Sequence, residues 1–175
     1  MSPKGPVAGG KPACECGGCS VFAHRLSVVS MPTVHLLARA VVREANHVLV
    51  VRAEGQPHTF LPGGHREPGE GLEGCLRREL DEELGVRAEV GRYLGAVEHQ
   101  WRREGERQYE INHCYATTSP ALTADTPPQA QEGYLSFAWA PVDQLDRVSL
   151  QPPPLRALLA GTDAADAAWW GSTVR

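Results

Sequence analysis

The sequence predicts an α+β fold built as one domain, and three observations support this class. Short apolar runs rich in β-branched residues recur along the chain and read as strands. One central segment instead spaces its leucines as a helix does, and a second short helix follows near the end. Strands and helices do not alternate regularly, which argues against repeated βαβ units. A chain of 175 residues suits a single core.

The first 30 residues are expected to form an arm outside the domain, which then spans residues 31–175. They are rich in Gly, Pro, Ser and Cys and show no apolar periodicity. The arm carries three cysteines and a histidine that could bind zinc, but their spacing is not that of a zinc ribbon or finger. These residues are Cys14, Cys16, Cys19 and His24. The arm is therefore interpreted as unstructured chain.

The domain is expected to begin near Val34 with two strands. The runs VHLLARAVVRE and NHVLVVRAE are apolar and β-branched, and the polar turn around 44–46 between them predicts a hairpin. The segment 58–61 could form one more short strand. These strands are expected to feed a buried sheet.

The central helix is predicted over 72–84. Leu72, Leu76, Leu80 and Leu84 follow one another at four-residue spacing, and Gly85 stands where a left-handed C-terminal cap belongs. A glycine at 71 is a tolerable N-cap.

The remaining elements are predicted from the same signals. Strands are expected at 88–98 and 108–117, joined across the polar segment WRREGER, and a proline-rich loop covers 119–133. The run YLSFAWAP predicts a strand, VDQLD a helical turn, and the proline-led segment 154–160 a short helix. Near the C-terminus, Trp169 and Trp170 are expected to pack on the domain or on a partner subunit.

Composition excludes some classes of protein. The formal net charge of -4 gives no electrostatic reason to expect binding to a nucleic-acid polymer. No apolar run approaches the roughly 20 residues that a membrane helix needs. The five cysteines do not form a dense disulfide framework, so we expect a cytoplasmic protein.

Three carboxylates of the central helix predict a metal site. With 100° per residue, Glu79, Glu82 and Glu83 fall within an arc of about 100° on one face. Clustered carboxylate oxygens suit Mg²⁺ or Mn²⁺ better than zinc. A solvated acidic face screened by Arg77 and Arg78 is the alternative, but the preceding glycine-rich loop, PGGHREPGEG, lets backbone approach a metal or a phosphate.

The loop and helix together resemble the Nudix box of the MutT-like Nudix hydrolase superfamily. Gly64 is followed after five residues by Glu70 and after seven more by RELDEELGV, residues 78–86. This matches the pattern GX5EX7REUXEEXGU, in which U is a bulky aliphatic residue, at every specified position. The resemblance implies an α/β/α sandwich with a mixed sheet. It also implies metal-dependent hydrolysis of a nucleoside diphosphate linked to a moiety X, by attack of water at phosphorus.

The resemblance also implies roles for individual residues. Glu82, Glu83 and the Gly63 carbonyl would bind Mg²⁺ or Mn²⁺, and Glu79 would bind metal or activate water. Glu70 and Arg78 would then orient Glu79 without touching the substrate.

Many family members take one further glutamate from downstream. Glu132, in QEGYLSFAWAPVDQL, matches that place, while Glu98 and Glu110 remain alternatives. Three aromatic residues could stack on a nucleobase, although strand aromatics are more commonly core residues; they are Phe60, Tyr93 and Trp101. Three arginines at the predicted hairpin tip could meet phosphates or be merely solvated; they are Arg102, Arg103 and Arg107.

The substrate is less constrained than the reaction. The subfamily signatures of ADP-ribose and NADH hydrolases are absent from GRYLGAVEHQWRR, after the box. We therefore expect a nucleoside triphosphate, canonical or oxidised, to be cleaved to monophosphate and pyrophosphate. Nucleotide sugars, ADP-ribose and dinucleoside polyphosphates are the alternatives, as is a module that binds nucleotides without cleaving them. A monomer or a homodimer is expected.

Overall fold

The computed structural model describes residues 32–161 and 168–174, and the predicted arm with its cysteines lies outside these ranges. In chain order the elements are β1 Val34–Val41, β2 Arg43–Glu44, β3 His47–Ala53, α1 Leu72–Leu84, β4 Glu89–Arg103, β5 Glu106–Thr118, β6 Leu135–Pro141, a 3-10 turn at Val142–Gln144, α2 Pro154–Ala160 and β7 Trp169–Ser172. The predicted α+β class is confirmed. Within the described ranges, no helix is long and apolar enough to cross a membrane.

Helix α1 has the bounds that the leucine spacing predicts. Gly71 precedes it in an extended conformation, and Gly85 ends it in the left-handed region with φ 66°. The Gly85 N–H donates to the Asp81 carbonyl at 2.8 Å, and the Val86 N–H donates to the Leu80 carbonyl at 3.5 Å. The face that packs inward carries Cys75, Leu76, Leu80 and Leu84. Because Glu83 is buried on this helix as well, the apolar face brings a carboxylate into the protein.

The strands form two sheets. One has the order β1-β5-β4-β7, in which β1 runs parallel to β5 and β7 runs parallel to β4. The other is antiparallel and has the order β2-β3-β6. The predicted hairpin of the first two runs is wrong for most of its length, since only 43–44 pair with β3. The first run pairs instead with β5, because its consecutive buried residues suit a parallel strand covered on both faces.

Strands β4 and β5 are longer than predicted and meet in a two-residue turn. Glu104 and Gly105 have φ of 52° and 88°, the positive values that a tight hairpin turn requires. The segment WRREGER is therefore mostly strand and not a loop, because its Glu-Gly pair supplies the whole turn. The predicted strand at 58–61 is reduced to single bridges from Thr59 and Phe60.

The four-stranded sheet is covered on both faces. Helix α1 packs with Ala38, Ala40 and Tyr115 in one apolar cluster. A second cluster contains Val97 and Cys114 of the sheet together with Leu155 and Leu159 of α2. Between the two faces, the loop before α1 runs along the edge of β1. Hydrogen bonds hold it there, from Ala40 N to Pro62 O at 2.9 Å, from Ala38 N to Gly64 O at 3.0 Å and from Arg66 N to Leu36 O at 3.0 Å.

Strand β7 was not predicted. It approaches β4 so closely that a Cβ on Gly95 would lie 2.2 Å from the Trp169 carbonyl oxygen, and Gly95 has φ +140°. Trp169 packs against the second apolar cluster, as expected of a residue that packs on the domain, while Trp170 is 64% exposed.

Candidate active site

Two consecutive glycines bring the loop against β1 and α1. Gly63 has φ +112°, and a Cβ there would lie 2.3 Å from the Ala38 carbonyl oxygen. A Cβ on Gly64 would lie 2.4 Å from the carboxyl carbon of Glu79. Any side chain at 64 would therefore displace the carboxylate, which explains why both positions are glycine.

Glu83 lies against the same loop from inside the protein. Its side chain is 5% exposed, and Oε2 accepts a hydrogen bond of 3.1 Å from Gly63 N. Burial raises the pKa of Glu83 to about 7, and repulsion by Glu79 and Glu132 contributes in the same direction. The carboxylate is thus held in place while its charge remains poorly compensated.

Arg78 holds the outer carboxylates together. It forms two hydrogen bonds with Glu70, from Nε to Oε2 at 3.2 Å and from Nη2 to Oε1 at 2.7 Å. Its Nη1 donates to Glu79 at 2.9 Å and to Glu82 at 3.1 Å, and its Nη2 also donates to the His65 carbonyl. This fork geometry is one that arginine provides and lysine does not.

The pKa values of Glu70 and Glu79 are shifted in opposite directions. Hydrogen bonding from Arg78 lowers the pKa of Glu70 to about 2, helped by the Glu67 N–H at 2.8 Å. Burial raises the pKa of Glu79 and outweighs the opposing effect of Arg78. Glu70 is therefore a permanently charged anchor for Arg78, whereas Glu79 is the better proton acceptor.

The described residues do not contain three His, Cys, Asp or Glu side chains already gathered around one metal position. Glu79 and Glu82 face Arg78, and the Gly63 carbonyl accepts a hydrogen bond from Arg39 Nη1. The donor set nevertheless fits a divalent cation. It consists of oxygen atoms, it adjoins loop backbone at two glycines, and two of its carboxyls have raised pKa values that a nearby cation would lower.

The three candidates for the downstream glutamate lie in different places. Glu132 lies within electrostatic range of Glu83, in a loop whose Gln131 N–H donates to the Glu83 carbonyl, and it accepts a hydrogen bond from Tyr134. Glu98 accepts from Ser172 beside β7. Glu110 lines a pocket on the other face of the sheet. This geometry favours the predicted ligand Glu132.

That pocket has a volume of about 840 Å³ and adjoins the loop through Arg39. Its walls include Arg39, Phe60, His99, Trp101, Glu110 and Asn112. Two of the aromatics singled out from the sequence, Phe60 and Trp101, thus lie where a planar group could bind. The third, Tyr93, instead contacts His113 and Tyr115. Arg102 and Arg103 also line the pocket.

Arg39 joins the pocket to the loop. Its Nη1 donates to the Leu61 carbonyl at 3.1 Å and to the Gly63 carbonyl, while Nε donates to Asn112 Oδ1 at 3.1 Å. Asn112 in turn donates to Glu110 at 2.9 Å. The guanidinium lies 5.1 Å from the centre of the Phe60 ring. Among the described residues Nη2 has no partner, so it remains available to a ligand.

Arg39 and Asn112 are site residues that the sequence analysis did not identify. The available signal was a charged residue inside the apolar run LLARAVV, and an asparagine on the same strand face as Glu110. Neither signal shows that the two side chains meet, because the contact joins positions 73 residues apart and depends on the parallel pairing of β1 with β5.

Comparison with known proteins identifies the architecture. The family model described as NUDIX domain matches residues 33–160. Among solved structures, the E. coli ORF135 protein has a TM-score of 0.53 at 24% identity, covering 73% of this chain and 87% of that one. A UDP-X diphosphatase has a TM-score of 0.57 at 20% identity, covering 83% and 70%. At these identities the structural likeness concerns the fold.

Sequence similarity to curated proteins is local. Human diphosphoinositol polyphosphate phosphohydrolase 2 is 39% identical over 69 residues, which is 39% of this chain and 38% of that protein. The matched segment thus spans well under half of that relative.

Proposed function

Because the chain belongs to the NUDIX family, whose members generally use divalent cations, we propose that it is a Mg²⁺- or Mn²⁺-dependent pyrophosphohydrolase. One observation carries the proposal: a complete Nudix box places Glu79 and Glu83 of α1 against the two loop glycines, and Arg78 binds both Glu79 and Glu82. A nucleotide-binding module without activity is the competing class, and an intact box argues against it.

In the proposed site, Glu82, Glu83 and the Gly63 carbonyl hold the cation, and Glu132 joins them from the downstream loop. A bound Mg²⁺ or Mn²⁺ would neutralise charge on the substrate diphosphate. The Gly63 carbonyl is available to a cation only when Arg39 Nη1 shares or releases it.

The protein's own part of the chemistry is to direct a water molecule. Diphosphate hydrolysis requires an oriented water more than a covalent nucleophile. We assign Glu79 to accept its proton, since burial raises the pKa of this carboxyl and Arg78 fixes its position. Glu70 and Arg78 are positioning residues. The water oxygen forms the new bond to phosphorus, and the bridging anhydride oxygen leaves with the other phosphate.

The pocket beside Arg39 is the proposed site for the rest of the substrate. Phe60 and Trp101 suit a nucleobase, which favours a nucleoside triphosphate cleaved to monophosphate and pyrophosphate. A second candidate is a substrate with additional phosphates. Three arginines and one glutamate line the pocket, and the chain resembles a diphosphoinositol polyphosphate phosphohydrolase over 69 residues.

A substrate screen tests the proposal. Purified protein with Mg²⁺ or Mn²⁺ is incubated with NTPs, oxidised dNTPs, ADP-ribose, nucleotide sugars, dinucleoside polyphosphates and a diphosphoinositol polyphosphate, and both products are identified by chromatography. Metal-dependent cleavage of a phosphoanhydride supports the enzyme. Binding of nucleotides without any product would establish the binding module instead. A kcat/KM on ADP-ribose or a nucleotide sugar tenfold above every triphosphate would overturn the triphosphate assignment only.

A further inference from the structure

The C-terminal segment 168–174 lies beyond the part of the chain that the family model matches, and it is attached to the wall of the pocket. Strand β7 pairs with Gly95–Glu98 of β4. After the strand ends, Thr173 N donates to the Glu98 carbonyl at 3.2 Å, and Gln100 Nε2 donates to the Thr173 carbonyl at 3.2 Å. The next residue of β4 on the pocket side is His99.

The hydroxyl of Thr173 bonds to both of its neighbours on β4. Gln100 N donates to Thr173 Oγ1 at 3.0 Å, and His99 Nδ1 lies 2.9 Å from the same oxygen. Because the hydroxyl already accepts from Gln100, its own proton has one acceptor among the described residues, which is His99 Nδ1. A neutral imidazole that accepts this proton carries its own proton on Nε2, whereas a ring protonated on Nδ1 would leave the Thr173 hydroxyl proton without an acceptor among the described residues.

Burial of His99 agrees with a neutral ring, since it lowers the pKa of the imidazole more than the nearby Glu110 raises it. Nε2 has no hydrogen-bond partner in the described part of the chain, and the residue lines the pocket. With its proton on Nε2, the ring has one N–H donor left for a ligand. Arg39 Nη2 offers further donors from the same pocket.

We infer that the C-terminal strand completes the substrate pocket, with Thr173 as a positioning residue that fixes His99 as a hydrogen-bond donor to an oxygen atom of the substrate. This rests on the proposed function insofar as the pocket holds the group attached to the diphosphate. The donors of His99 and Arg39 together favour a group with acceptor oxygens, such as a base carbonyl, a sugar hydroxyl or a phosphate.

The tautomer of His99 is the first test. Long-range ¹H–¹⁵N correlation spectra of the full-length protein distinguish an imidazole protonated on Nε2 from one protonated on Nδ1, and His99→Gln identifies the signal. We expect the Nε2–H form in the wild type and in Thr173→Ser, and a mixture of tautomers in Thr173→Val. A wild-type ring protonated on Nδ1 would overturn the inference.

Ligand binding is the second test and requires no turnover. GTP, ADP-ribose and UDP-glucose are each titrated with Ca²⁺ present, and the His99 signal is followed. At least one should shift it, and Thr173→Val should weaken that ligand about three- to tenfold, as loss of one hydrogen bond does. Thr173→Ser should bind as the wild type does. Ser172→Ala should also bind as the wild type does, because the Ser172 hydroxyl contacts Glu98 and Val174 and not His99.

The outcomes separate this inference from the proposed function. A shifted His99 signal without hydrolysis would leave the inference standing and reject the enzyme. Hydrolysis of a substrate that never shifts His99, or equal binding by Thr173→Val and the wild type, would reject the inference and leave the enzyme. Loss of the Trp169 and Trp170 amide signals would show that Thr173→Val has detached the strand. In that case Thr173→Ser and His99→Gln are the variants by which the inference is accepted or rejected.

Discussion

The Nudix box and the pocket are built in different ways on the two sides of β1. Three of the four glutamates that define the box lie on α1, and the fourth, Glu70, lies in the loop directly before it. Arg78 binds partners between one and thirteen residues away. The pocket instead joins Arg39 to Asn112 across 73 residues and His99 to Thr173 across 74. Under the proposed function, the reaction class is encoded in a short stretch of sequence, whereas the selection of substrate depends on strand pairing across the whole domain.

The two regions meet at the Gly63 carbonyl. On the box side, Gly63 N donates to Glu83. On the pocket side, Arg39 Nη1 donates to Gly63 O. Gly63 thus connects a carboxylate of the box to a residue of the pocket. Variants on either side test whether the box and the pocket have separate functions.

The largest effect is expected from Glu83→Gln on the box side. Loss of a ligand charge should lower turnover by two or more orders of magnitude and weaken Mn²⁺ binding measured by calorimetry, while the circular dichroism spectrum stays unchanged. Asp81→Asn is the matched control, because Asp81 is an exposed residue of the same helix. Turnover of Glu83→Gln within a few-fold of the wild type at subsaturating metal would contradict the ligand assignment.

The same variant should alter stability in metal-free buffer. Since the pKa of Glu83 rises from 4.5 to about 7 on folding, the native state retains a proton between these values that the unfolded state has released. The free energy of unfolding should therefore fall as pH rises through this window, on the order of 3 kcal/mol from this group alone. In Glu83→Gln the free energy of unfolding should not show this contribution to the fall with pH. At pH 7 the variant should be at least as stable as the wild type. Identical pH profiles for the two proteins would contradict the burial argument.

Arg78→Lys should have the next largest effect. Lysine keeps the charge but cannot bind Glu70 through two nitrogens while also reaching Glu79 and Glu82, so kcat should fall about 10- to 100-fold. Arg77→Lys is the control, because the Arg77 side chain has one partner in the described part of the chain, Glu73, in an exposed pair. Steady-state kinetics of the two variants measure the difference, and equal kcat values would show that the fork geometry is unimportant.

On the pocket side, Arg39→Met should raise KM about tenfold and reduce kcat less. The substitution keeps an apolar stem beside Phe60 but removes the donors that face the pocket and hold the Leu61 and Gly63 carbonyls. Arg52→Met is the control, since within the described ranges the Arg52 side chain makes one long hydrogen bond, to the Pro57 carbonyl. A kcat loss as large as that of Glu83→Gln, with KM unchanged, would place Arg39 in the catalytic machinery instead.

The smallest effect is expected from deletion of residues 1–30. No residue of the box or of the described pocket lies there, so kcat, KM and thermal stability should match those of the full chain. A truncated protein that fails to fold, or stoichiometric zinc in the full-length protein by metal analysis, would show that the arm has a structural role.

Sequence predicted the box more accurately than it predicted the sheet around it. The bounds of α1 follow from its leucine period and its two flanking glycines, which are local signals. The pairing of β1 was mispredicted because an apolar strand run does not specify its neighbour, and here the paired residues lie 75 positions apart. Strand β7 was missed because its attachment depends on a bare backbone at Gly95, which no sequence period reveals.

The most direct test of this division is the ratio of kcat/KM for the two best substrates of the screen, measured in Glu82→Gln and in Arg39→Met. If the box performs the reaction and the pocket selects the substrate, Glu82→Gln lowers kcat/KM for both substrates by the same factor. Arg39→Met should instead change their ratio about fivefold or more, which corresponds to roughly 1 kcal/mol of transition-state discrimination. A ratio that changes in Glu82→Gln and stays constant in Arg39→Met would contradict the account.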